Sequence, residues 1–194
     1  MQTESRNSQR MVPTQAEQPL LSRLRAGDPA AFQTLVRPHL GALLALSRRL
    51  TGDTHWAEDL VQETLVRAFQ NRQGFRGEAS LQTWLFKIQL RLARDPGRWQ
   101  KQEPAGSLES LEVPDRLAVL PADAALSREL RDRLDEAMER LSLRQRTALH
   151  LRAVQGMDYR AIAAVVGSSR AAARMLVLAA RKKVLDRLGR YLEP

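Results

Sequence analysis

Between Gln102 and Ala124 the chain reads QEPAGSLESLEVPDRLAVLPADA, with prolines at 104, 114 and 121, five acidic residues against one basic, and no steady hydrophobic period. Proline lacks a backbone donor and fixes φ, so such a stretch neither continues a helix nor pairs within a sheet. Its composition predicts an extended or partly ordered linker. The flanks are therefore expected as separate modules. Both flanks are basic: residues 19–101 hold 13 Lys and Arg against 7 Asp and Glu, and residues 125–194 hold 15 against 8. Two cationic modules thus flank an anionic tether. Residues 1–18, with two charges of each sign and no apolar run, are read as a disordered N-terminal arm.

Ala, Leu and Arg dominate both flanks, β-branched runs are rare and no alternating strand pattern appears, which predicts helices. The expected fold class is all-α: two small helical domains joined by an acidic, Pro-containing linker, the C-terminal one a four-helix helix-turn-helix domain. An apolar fraction of 43% over 194 residues suffices for two small cores. The chain has no cysteine, which removes disulfides, a thiolate nucleophile and sulfur-ligated zinc. His39, His55 and His150 fall in different predicted helices or loops without ligand spacing, so no metal site, no cofactor and no enzymatic centre is expected. The N-terminus is not a signal peptide, and no stretch approaches the roughly 18 to 20 apolar residues of a membrane span. No membrane insertion and a cytoplasmic location are the expectation. The net charge of +9 points to an anionic partner.

In the first block, Asp28-Pro29 predicts a helix start, with Asp as cap and Pro at the first helical position. The helix is expected to reach about Leu50, with a kink at Pro38. Thr51-Gly52-Asp53 then separates it from a second helix whose apolar stripe is Ala57, Leu60, Val61, Leu65, Ala68 and Phe69. Its other face, Glu58, Asp59, Gln62, Glu63 and Arg67, is acidic within a basic domain. After a loop from Gln70 to Gly77, Leu81, Leu85, Ile88 and Leu92 line one side of a third helix. Lys87, Arg91, Arg94 and Arg98 line another side, and Trp84 falls between the two. Cations at helical spacing beside aromatics suit a polyanion with exposed bases. A solvated arginine row beside a core tryptophan is the alternative that spacing leaves open.

In the last block, four helices are expected: Ala125 to Leu141, Arg144 to Gln155, Tyr159 to Val166 and Arg170 to Leu188, with breaks at Gly156 and Gly167. Ala163 is small enough for helix contact, Gly167 suits a tight turn four residues later, and Ser169 is placed to cap the next helix. Those are the requirements of a helix-turn-helix whose second helix enters the major groove.

Taken in order, these residues resemble the extracytoplasmic-function (ECF) group of bacterial RNA polymerase sigma factors, from about Leu20 to Leu188. Asp28 to Phe32 is similar to the family's opening, Ala57 to Thr64 to its polymerase-binding helix, and Phe75 to Leu85 to its promoter-melting segment. Leu141 to Arg146 and the helix-turn-helix are similar to its C-terminal domain. The resemblance implies that residues 19–101 are sigma region 2 and residues 125–194 sigma region 4. It implies core RNA polymerase as partner, met through the beta-prime clamp helices and the beta flap, together with promoter DNA and an anti-sigma factor. Glu58, Asp59, Gln62 and Glu63 would meet the polymerase. Arg72, Phe75, Arg76, Ser80, Trp84, Lys87, Arg91 and Arg94 would bind and melt the minus-10 element. Ser168, Ser169, Arg170, Arg174, Arg181 and Lys182 would contact the minus-35 element. The connector would occupy polymerase channels.

Two stretches depart from the family. Arg91 stands where Asn is usual, and Pro96-Gly97 follows Asp95 where the helix would continue. The recognition helix reads Ala172-Ala173-Arg174-Met175-Leu176-Val177-Leu178-Ala179, hydrocarbon where the family has polar donors. Few bidentate base contacts remain, each worth about 1 to 3 kcal/mol. Met175, Leu176 and Leu178 either present a partner surface or bury against the other helices. A sigma-like decoy, which holds polymerase or an anti-sigma protein without initiating, is the alternative function.

Overall fold

A computed structural model describes residues 18–94 and 133–192, with side chains through Gly189. Residues 1–17, the linker 102–124, Arg98 and Pro96-Gly97 lie outside the described residues. The first helix, α1 (Gln18–Arg25), turns Leu21 and Leu24 inward, an element the sequence reading does not anticipate. Gly27, at φ +92°, ends the turn that follows it. The Asp28 carboxylate then accepts from the backbone amides of Ala30 and Ala31 and starts α2 (Pro29–Val36), with Pro29 at its first position. The Arg23 guanidinium bonded to that carboxylate, with the two amides, holds its pKa below the ordinary value.

At Pro38 the expected kink is a full break. A single 3-10 turn, Arg37–His39, separates α2 from α3 (Leu40–Thr51), because proline supplies no amide to the preceding turn. Gly52 adopts the left-handed conformation that closes α3, and Asp53 caps α4 (Thr54–Gln70). Ser80 caps α5 (Leu81–Ala93) by accepting from the Thr83 amide. Helices α3, α4 and α5 pack on Leu43, Leu46, Leu60, Leu85, Phe86 and Leu90, nearly all fully buried. Complete burial of a leucine is worth about 2 kcal/mol. A smaller cluster, Leu21, Leu24, Leu35 and Phe75, fixes α1 and the loop after α4 to this bundle.

Opening the second group of helices, residues 133–139 of the expected helix Ala125 to Leu141 are helical (α6), and residues 125–132 lie outside the described residues. The Ser142 side chain and Gln145 cap each other's backbone and open α7 (Leu143–Ala153). Asp158 caps α8 (Tyr159–Val166), which ends at a left-handed Gly167. Ser169 Oγ accepts from the Ala172 amide at 3.1 Å and starts α9 (Arg170–Leu192). Helices α8 and α9 meet at 92°, the crossing of a helix-turn-helix. The two groups are in contact: one buried cluster runs from Leu46, Leu85 and Leu92 to Leu151, Ile162 and Val166. Among the described residues no single helix is long and apolar enough to cross a membrane, and no group of three acidic or histidine side chains is arranged to hold a metal ion.

Candidate polymerase and nucleic-acid interfaces

Helix α4 buries Ala57, Leu60, Thr64 and Ala68, and that registration decides what it presents outward. Glu58 and Asp59 are exposed, Gln62 and Glu63 half-buried. Glu63 accepts from Arg67 at 2.7 Å, one turn on. Two apolar side chains border this acidic strip, Trp56 at 36% and Val66 at 39% exposure. The sequence reading missed them, although Val66 sits seven residues after Asp59 and so lies on the same face.

The loop between α4 and α5 is braced from within. Phe75 is only 2% exposed; its ring packs on Trp84 with centroids 5.2 Å apart, and its carbonyl accepts from Arg25 at 3.3 Å. Phe75, a minus-10 candidate, shapes the loop by filling the small core under it. Arg72 is likewise turned inward. Its guanidinium lies 5.1 Å over the Phe69 ring, donates to the Phe69 carbonyl at 3.2 Å and covers Gly27, where a Cβ would meet its Nη2 at 2.9 Å. A cation held this way supports the loop.

Trp84 is half-buried, between the apolar and basic sides of α5 as its spacing predicts. Ser80 is also half-buried, and its hydroxyl is engaged in the cap and with Thr83 Oγ1 at 2.9 Å. Arg76, Lys87, Arg91 and Arg94 are exposed. Lys87, Arg91 and Arg94 form a row at four- and three-residue spacing along α5, one side chain per turn. Arg94 also reaches the second helical group, donating to the Val166 carbonyl at 3.4 Å.

The cap Ser169 and, on α9, Arg170, Arg174, Arg181 and Lys182 are exposed, and Ser168 is half-buried in the turn. At 100° per residue, Arg170, Arg174, Leu178, Arg181 and Leu185 share about 80° of arc. The apolar run divides: Val177 is buried and Leu176 packs against the core, while Met175 and Leu178 are 62% and 43% exposed. Beside them, Leu149, Arg152, Ala153, Val177 and Arg181 line an open cleft between α7 and α9, with Val154 exposed nearby in sequence. His150 is buried, and desolvation, followed by the charge of Arg49, lowers its pKa to about 4. It belongs to the packing of α7 and is neutral near pH 7.

Residues 35–103 match the Sigma-70 region 2 family and residues 131–184 match Sigma-70 region 4. The RNA polymerase sigma-H factor of Pseudomonas aeruginosa is 27% identical over 189 residues, covering 90% of this chain and 94% of the relative. The ECF RNA polymerase sigma factor SigG of Mycobacterium tuberculosis is 35% identical over 182 residues, 82% of this chain but 48% of the relative, so the chain spans about half of that protein. Two solved structures share the fold. The structure of CnrH in complex with the cytosolic domain of CnrY gives a TM-score of 0.65 at 26% identity, covering 90% of this chain and 97% of that one. The sigma factor RpoE in complex with the anti-sigma factor NepR, from Bartonella quintana, gives 0.60 at 27% identity, covering 81% and 96%. With both sigma regions matched in order on a helical scaffold of this shape, the chain belongs to the ECF sigma factors of bacterial RNA polymerase, proteins that direct promoter-specific transcription initiation.

Proposed function

We propose that the two faces described above divide the work of initiation. The carrying observation is the opposition of charge within the first helical group: α4 exposes Glu58 and Asp59 while α5 exposes Lys87, Arg91 and Arg94. The α4 strip, with Gln62 and Glu63 beside it and Trp56 and Val66 as apolar anchors, meets the beta-prime clamp helices of core polymerase. Exposed Trp set among polar neighbours is the usual make-up of an interface hot spot. The α5 row and Arg76 take the phosphates of the minus-10 region, and Trp84, steadied by Phe75, stacks on an unpaired base. Flipping a base costs a few kcal/mol, which binding in such a pocket offsets.

The second helical group contacts the minus-35 region with Arg170, Arg174, Arg181 and Lys182, mainly through phosphates, and meets the beta flap. With polymerase and promoter as partners, the site of action is the cytoplasm. Residues 19–101 and 125–194 act as region 2 and region 4, the acidic linker lying in polymerase channels. The exposed Met175 and Leu178 favour one further partner, an anti-sigma protein that covers the mixed Arg and Leu face of α9. The two solved relatives, CnrH and RpoE, are each bound to a second protein, NepR being named an anti-sigma factor.

Asp59→Lys tests the polymerase assignment. Asp59 is exposed, so the variant is expected to melt like the wild type while its affinity for core polymerase falls at least about tenfold, a coupling of about 1.4 kcal/mol. Unchanged affinity, measured by titrating labelled protein with core enzyme, contradicts the assignment.

A further inference from the structure

The loop between α4 and α5, which carries the proposed base pocket, is held from the N-terminal side of the chain. Arg25, the last residue of α1, donates from Nη2 to the Phe75 carbonyl at 3.3 Å, across 50 residues of sequence. Below that carbonyl the Phe75 ring joins Leu21 and Leu24 of α1 and Leu35 of α2 in a buried cluster, and it is tilted 48° against the Trp84 ring. Arg72, nearer the start of the loop, lies over Phe69, whose ring in turn meets Phe32 of α2 at 5.3 Å. The turn after α1 passes against that guanidinium, which the missing side chain of Gly27 permits. Arg23 and Asp28 pair at 2.7 Å across the same turn.

A single 3-10 turn, Arg72–Gly74, gives this loop its internal regularity. Irregular segments with few backbone hydrogen bonds of their own open at low free-energy cost. A loop that must order itself around a base subtracts that ordering from the binding. A pocket built in advance avoids the loss, provided that groups outside the loop fix its side chains. Arg25 does so at the backbone, and the leucines of α1 do so at the Phe75 ring. The Arg25 residue is exposed while its bond to Phe75 is partly buried. The contact is thus sheltered from water, yet the side chain can be changed without opening the core.

We propose that α1 braces the melting loop and that Arg25 is a positioning residue for promoter opening. Its guanidinium holds the Phe75 backbone, Phe75 holds the Trp84 ring, and Trp84 stacks on the unpaired base; Arg25 itself touches no nucleotide. This rests on the reading of the loop as the minus-10 pocket and adds the element that sets its shape. The brace matters when the base leaves the stack, so its loss is felt in opening and not in the first contact with duplex DNA.

The test uses the full chain with core polymerase and a promoter recovered by transcribing fragmented genomic DNA. The promoter is prepared as a duplex, kept closed by low temperature, and with its minus-10 bases held unpaired by mismatches. Arg25→Met is expected to fold like the wild type and to bind core polymerase and the closed duplex with unchanged affinity. It is expected to bind the unpaired template about three- to tenfold more weakly, as for the loss of one partly sheltered hydrogen bond. Arg25→Lys keeps a charged donor and is expected to restore most of that loss. Equal weakening on both templates makes Arg25 a phosphate contact and overturns the proposal. Wild-type affinity of Arg25→Met for the unpaired template also overturns it, as does an Arg25→Lys protein no better than Arg25→Met. If the wild-type protein gives no promoter-binding complex, the sigma-factor reading fails instead, and the free chain decides the brace. With Trp56→Phe and Trp99→Phe leaving Trp84 as the one tryptophan, Arg25→Met is expected to raise acrylamide quenching of its fluorescence, and unchanged quenching overturns the brace.

Discussion

His150 shows how one side chain carries information that sequence alone does not. As a residue it sits among leucines on an otherwise ordinary helix; in the structure it is buried, with its pKa lowered to about 4 by desolvation and by Arg49. The unfolded chain binds the proton near pH 6.5 and the folded one does not, so stability falls as pH drops from about 6.5 towards 4 and levels off below that. Between pH 7 and pH 5 the loss attributable to His150 is about 2 kcal/mol. Urea unfolding at the two pH values, compared for the wild type and His150→Leu, checks this: the variant is expected to lose that portion of the pH dependence. Equal pH dependence in the two proteins means that His150 is not buried in neutral form. Phe75 and Arg72 make the same point from the other direction. Their residue types suited a nucleic-acid contact, but whether an aromatic or a cation faces in or out depends on a neighbouring loop, here the turn at Gly27 and the helix α1 that precedes it.

At the level of elements much was legible, because helix signals are local. Asp28-Pro29, Thr51-Gly52-Asp53, Gly167 and Ser169 each mark a boundary where the structure has one. Helix α1 escaped notice because two inward leucines in eight residues make too short a pattern to detect, and Pro38 broke a helix it was expected only to kink. For α9 the sequence left two fates open for its apolar run, and the structure takes both, burying Val177 while exposing Met175 and Leu178. The exposed half is the surface proposed above for an anti-sigma protein. Captured from extract of its own source, the wild-type protein is expected to retain an anti-sigma protein that Leu178→Asp loses, while both variants melt alike. Retention of the same protein by Leu178→Asp contradicts the assignment of this face.

For the whole molecule, the division into two helical groups is visible in the composition of the linker, but their mutual contact is not, since Arg49 and Asp135, or Arg94 and Val166, meet only through tertiary packing. The central claim concerns what the assembled chain does with polymerase. Its most direct test is to mix the protein with core polymerase from its own source, transcribe fragmented genomic DNA and map RNA 5′ ends against core enzyme alone. The account predicts new, discrete start sites that share an upstream minus-10 element, with at most a weak minus-35 block because α9 has few base-reading donors. A stable complex with polymerase that yields no new start sites contradicts it and identifies the chain as a decoy.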